Sequence, residues 1–99
     1  MFNNDMLAKL QLLKQEADDS KRRLEEIEIS EEAGGGLIRV VINGNRTIKA
    51  LEINGDLHSM EKADLEDLLV VALSRAMDRV NALNESEVMS SARSIFPGM

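Results

Sequence analysis

Residues 34–53 read GGGLIRVVINGNRTIKALEI, a glycine-opened hairpin set between two long helical segments, and this stretch decides the fold. Leu37 to Ile42 is an apolar run broken only by Arg39, Asn43-Gly44 is a strong turn signal, and Thr47 to Ile53 resumes strand-like residues. Ile27 and Ile29, two apart and just before the glycines, add a third strand. Alternation along the strands assigns faces. Ile38, Val40 and Ile42 share one face, and Leu37, Arg39, Val41 and Asn43 the other; Ile48, Ala50 and Glu52 stand against Lys49, Leu51 and Ile53. On this reading Val41, Leu51 and Ile53 lie opposite the face of Ile38, Val40 and Ile42. A sheet covered by a single helix has no use for apolar residues on both faces, so a second subunit is expected on Val41, Leu51 and Ile53.

The flanks read as helices of different kinds. In the first, Met6, Leu10, Leu13, Ala17, Ser20, Leu24 and Ile27 alternate spacings of four and three, a narrow seam suited to one partner helix, with Asn3 or Asn4 as cap. An ordinary amphipathic helix lying on its own sheet is the plainer alternative. The second, from about Glu61 to Leu83, has a broader stripe of Leu65, Leu68, Leu69, Ala72, Leu73, Ala76, Met77, Val80 and Leu83 that suits a sheet cover; Asp56 or Ser59 could cap it. The period fades after Leu83. Residues 1–84 therefore form one domain, and 85–99 a frayed helix extension and flexible tail ending in Pro97-Gly98-Met99.

Composition narrows the function classes. A 99-residue chain makes one small domain that gains from pairing with a second copy. With two aromatics, Phe2 and Phe96, there is no platform for stacking single-stranded bases. Having no cysteine, the chain has no disulfide, thiolate zinc site or cysteine nucleophile, which is compatible with a cytoplasmic location. The start MFNNDMLAKL lacks a signal peptide's apolar run, and no stretch is long enough to span a bilayer, so a soluble protein with no membrane partner is expected.

The order helix, three strands, helix, with Leu37-Ile38-Arg39-Val40 after the glycines, Ile42-Asn43-Gly44 in the turn, Leu51-Glu52-Ile53 closing the sheet and Leu65-Glu66-Asp67-Leu68 in the last helix, resembles the YbaB/EbfC family of bacterial nucleoid-associated proteins. The resemblance covers roughly residues 5–84. It implies an α+β fold (α-β-β-β-α, antiparallel sheet), a tweezer-like homodimer joined largely through its sheets, double-stranded DNA as partner, and residence in the cytoplasm at the nucleoid.

No catalytic set can be assembled. His58 is the sole histidine and reads as a loop residue; Asp18-Asp19, Glu25-Glu26 and Glu31-Glu32 are pairs of the kind that solvated helices and strands carry. Gly34-Gly35-Gly36 precedes a strand, not a helix, and lacks the lysine of a phosphate loop, so it is a turn. Neither enzyme activity, metal nor cofactor is expected.

Binding remains, and charge must decide what is bound. The net charge is −6, yet residues 1–50 hold 8 basic and 9 acidic residues while residues 51–99 hold 4 and 9. Lys9, Lys14, Lys21, Arg22 and Arg23 lie on the first helix, and no acid falls between Gly34 and Ala50, where Arg39, Arg46 and Lys49 stand. Intrahelical ion pairing explains such a pattern as readily as DNA contact does, since neighbours such as Lys21-Arg22-Arg23 diverge by about 100°. The resemblance to DNA-gripping dimers assigns the contacts to Lys14, Lys21, Arg22 and Arg23 on the first helix and to Arg75 and Arg79 on the second. Backbone contacts with weak or shape-based sequence preference follow, because no helix carries base-reading residues at recognition-helix spacing. The competing class is an acidic protein-interaction module, accessory to recombination or repair proteins, that recruits a partner through the first-helix seam.

Overall fold

A computed structural model describes residues 4–95. The elements are α1 (Asn4–Glu26), β1 (Glu28–Ala33), β2 (Ile38–Asn43), β3 (Ile48–Ile53), a one-turn 3-10 helix at Leu57–Ser59, and α2 (Lys62–Ile95). The α-β-β-β-α order is the expected one. Asn4 opens α1; the alternative cap, Asn3, lies outside the described residues, as does the tail from Phe96 to Met99. Asp56 caps the 3-10 turn, its side chain accepting from the His58 amide, and does not cap α2.

The sheet is antiparallel in the order β1-β2-β3. Glycines 34, 35 and 36 all take positive φ, which lets β1 turn into β2 where side-chain-bearing residues would be strained. The second turn is not a two-residue one. Arg46 N–H donates to the Asn43 carbonyl, Asn43 N–H to the Thr47 carbonyl, and Arg46, not Gly44, holds the left-handed φ of 65°. Gly44 serves instead for close approach: its amide donates to the Leu24 carbonyl, and a Cβ there would sit 2.5 Å from that oxygen.

The core lies between β1, β2 and the first two-thirds of α2. Ile29 and Ala33 from β1, Ile38, Val40 and Ile42 from β2, and Ala72, Ala76 and Val80 from α2 are buried, with Leu65, Leu68, Leu69 and Leu83 at its margin. Alanines where helix meets sheet allow close packing of the two layers, so β-branched side chains of β2 fill the space.

Register corrects the face assignment. Ile53 pairs with Ile38, Leu51 with Val40, and Ile48 with Ile42, so Leu51 and Ile53 share the core side with Ile38, Val40 and Ile42 rather than opposing it. Val41 alone of the three points the other way, opposite Ser30 and Ala50. A bulge between Val41 and Ile42 admits Lys49 as an extra residue and carries Ile48 to the core side, which simple alternation cannot foresee. The far face of the sheet is polar: Arg39 donates to Ser30 Oγ at 3.1 Å and to Glu52 Oε1 at 3.2 Å across it.

Helix α2 does not fray at Leu83 but continues to Ile95. Its last third leaves the sheet and runs antiparallel to α1, with Leu13, Ala17, Ser20 and Leu24 lining a cleft against Asn84 and Glu87. That half of the α1 seam therefore faces the chain's own α2. Together the two helices form an arm, and the molecule measures 67 × 21 × 21 Å with a radius of gyration of 19.3 Å, against about 13 Å for a compact domain of this length.

Candidate functional site

The arm is rooted at the β2–β3 turn. Asn43, buried among apolar neighbours, accepts from the amides of Asn45 and Thr47. Asn45 Nδ2 donates to the Lys21 carbonyl of α1, and Asn84 Nδ2 of α2 donates to the Gly44 and Val80 carbonyls. Arg46 Nε reaches Asn81 Oδ1 at 2.9 Å. Four polar side chains, Asn45, Arg46, Asn81 and Asn84, thus tie one turn to both helices, and Leu24 is the one buried apolar residue of α1.

Farther out, the helices are held by charge. Arg23 Nη2 donates to Glu87 Oε1 at 2.6 Å and to Glu16 Oε1 at 3.0 Å, so one guanidinium spans α1 and α2. Ser20 Oγ donates to Glu87 at 2.9 Å and Ser91 Oγ to Glu16 at 3.3 Å. The Arg23 guanidinium, and after it the Ser20 hydroxyl, hold the Glu87 carboxyl below the usual carboxylate range. The sequence offered one clue to this network: Ser20 is polar inside an apolar seam and needs a polar mate.

The six basic residues assigned to DNA fall into four environments. Lys14 and Lys21 are one heptad apart, within about 20° on the same flank of α1, and neither forms an ion pair among the described residues. Arg22 is exposed and paired with Asp19 on its own helix. Arg23 is taken up in the network just described.

Arg75 and Arg79 lie midway along α2, beside β1. Asn43 N–H and the Leu37 carbonyl bond toward β3, so Ile38, Val40 and Ile42 bond toward β1, through Ala33, Glu31 and Ile29. The carbonyls of Ser30 and Glu32 therefore point outward. Arg75 Nη1 donates to the Glu32 carbonyl at 2.9 Å and Arg79 Nη1 to the Ser30 carbonyl at 3.1 Å, with Glu31 also bound by Arg79. Spacing explains the match: i,i+4 on a helix is about 6 Å and i,i+2 on a strand about 6.6 Å. The two arginines close the outer border of β1.

Of the residues assigned to the subunit contact, Leu51 is 48% and Ile53 37% exposed, whereas Val41 is 8% exposed and already covered within the chain. Arg75 and Arg79 turn one flank of α2 toward β1, so Leu73 and Met77 on the opposite flank look toward β3; both are partly exposed, and with Ile48, Leu51 and Ile53 they make an open apolar surface. Among the described residues no group of three or more potential ligands could hold a metal ion, and no helix is long and apolar enough to cross a membrane.

Comparison with known proteins agrees with the fold. A model of the YbaB/EbfC DNA-binding family matches residues 1–95. A nucleoid-associated protein of Flavobacterium johnsoniae is 33% identical over 94 residues, covering 95% of this chain and 88% of that one; another, of Hahella chejuensis, is 34% identical over 84 residues, covering 85% and 78%. The crystal structure of an uncharacterized protein from Helicobacter pylori superposes with a TM-score of 0.80 at 20% identity, over 91% of this chain and 97% of that one, a likeness of fold.

Proposed function

Because the chain belongs to the YbaB/EbfC DNA-binding family, a family of nucleoid-associated proteins and not of enzymes, we propose that it binds duplex DNA as a homodimer at the bacterial nucleoid, through phosphate contacts made by its arms. The observation that carries this reading is the pair Lys14 and Lys21: two cations on one flank of a projecting helix, each without a carboxylate partner among the described residues. Arg22 adds a third charge beside them once it leaves Asp19. Arg75 and Arg79 are committed to β1 and contribute to the fold instead. Sequence preference is weak or set by duplex shape, since phosphate contacts carry no base information.

Each chain of the pair carries a net charge of −6, so affinity is modest and falls steeply with salt. Titration of a mixed-sequence duplex at several salt concentrations tests this. Lys14→Gln with Lys21→Gln should lower affinity and reduce the slope of log affinity against log salt by about 2 per chain. If the parent shows no salt-sensitive binding at low ionic strength, the reading fails, and an acidic module for recombination or repair proteins takes its place.

The second copy docks on the apolar surface between β3 and α2, where Leu51 and Ile53 stand, rather than on Val41. Burial of that surface is what makes pairing favourable. Light scattering should give about twice the 11.0 kDa chain mass. Leu51→Lys with Ile53→Lys should return a folded monomer; a parent that is monomeric at micromolar concentration overturns the dimer.

A further inference from the structure

An arm of two long helices must be held at some separation, and here the apolar side chains between them, Leu13, Ala17, Val88, Ala92 and Ile95, leave an open cleft instead of a closed core. Past Leu24 the seam is open: Leu13 is 38% exposed, and the cleft between the helices has a volume of about 440 Å³. What crosses between α1 and α2 there is the network of Glu16, Ser20, Arg23, Glu87 and Ser91. We propose that Arg23 is the positioning residue of the arm, clasping α1 to the distal part of α2 through Glu16 and Glu87 and so holding Lys14 and Lys21 at the spacing at which they meet a duplex. The second half of this statement rests on the DNA-binding reading; the first half does not.

Two features separate Arg23 from a phosphate contact. Its guanidinium already serves two carboxylates, so the cluster of the three groups carries a net negative charge and repels phosphate. One edge of its fork is also engaged: Nε and Nη2 both bond within the arm. Arg22 and Arg23 look equivalent in the sequence, yet about 100° of helix rotation puts one on the outer surface and the other between the helices.

The chain has no cysteine, so Gln11→Cys and Met89→Cys supply unique sites for a pair of spin labels, one on each arm helix. Labelled chain diluted into excess unlabelled chain reports the distance within one arm. The parent should give one narrow distance distribution. Arg23→Met and the milder Glu87→Gln should each broaden it, Arg22→Met should not, and the exchanged pair Arg23→Glu with Glu87→Arg should narrow it again. On DNA, Arg23→Met should weaken binding on the order of tenfold, the cost of ordering a loosened arm, with the salt slope unchanged, and the exchanged pair should recover affinity. A distribution unmoved by both Arg23→Met and Glu87→Gln overturns the clasp. A salt slope reduced by about 1 per chain, with the distance unchanged, makes Arg23 a phosphate contact. Should the parent fail to bind DNA, the functional reading falls while the distances still judge the clasp.

Discussion

The body of the molecule and its arm are held together by different physics. In the body, Ile38, Val40, Ile42, Ala72, Ala76 and Val80 are all but inaccessible to solvent, and the two layers meet through small and β-branched side chains. The arm buries Leu24 at its root and is then joined by hydrogen bonds and an ion-pair cluster. Apolar burial responds little to moderate salt, whereas exposed ion pairs are screened by it. The same chain thus contains a part built to stay in one state and a part whose geometry answers to its ionic surroundings.

The largest expected effect falls on the body. Ile38→Ala removes a fully buried side chain from the middle of the core and should cost about 2–5 kcal/mol in denaturant titration. Shallow truncations in the arm, such as Leu13→Ala, should cost far less; equal costs would abolish the distinction between the regions. An intermediate effect is expected at the outer border of β1. Arg75→Met with Arg79→Met deletes the donors to Glu32 and Ser30 and should cost about 1–3 kcal/mol for the lost bonds, with a raised tendency to aggregate through the uncovered strand. A soluble, fully stable double variant would show that the arginines do not guard the edge.

The smallest effect is a titration in the arm. The charged groups around the cleft are Glu16 and Lys21 of α1 and Glu87 of α2, with Arg23 bonded to both carboxylates. Because the folded-state pKa of Glu87 is lowered, its contribution is fully present above the ordinary carboxylate pKa and is lost as pH falls through the depressed folded value. The arm distance should therefore hold constant from neutral pH down through the ordinary carboxylate range and broaden only in stronger acid, while the far-ultraviolet signal of the body persists. Broadening between pH 7 and 6 would point to a different group.

Much of the body was legible in the sequence, because its elements announce themselves locally. The glycine run, the Asn43-Gly44 turn and the wide stripe from Leu65 to Leu83 each follow from nearest-neighbour chemistry. The placement of Leu51 and Ile53 was not legible, since a single bulge at Lys49 shifts strand phase without leaving a mark in the pattern. Nor was the reach of α2 to Ile95. Residues 84–95 carry only a sparse apolar stripe, Val88, Ala92 and Ile95, because their partner is the half-polar face of α1, and Glu87 and Ser91, four apart, answer Ser20 and Glu16 instead of a hydrophobic core. Basic residues were the hardest to sort. Lys14, Arg23 and Arg79 are equal as symbols, and only the partners brought to them by folding divide solvent-facing charge from internal fastening.

The arginine-sealed border of β1 also governs how far association can go. Sheets grow when each unit offers one sticky margin to the unit before and another to the unit after, and such growth has no natural end. With Ser30 and Glu32 already engaged by Arg75 and Arg79, this sheet has a single unsealed margin, at β3. A unit with one sticky margin can be consumed once. Any pairing across β3 would therefore be self-terminating: a second copy that satisfied the margin would also remove the site from which a third could be recruited.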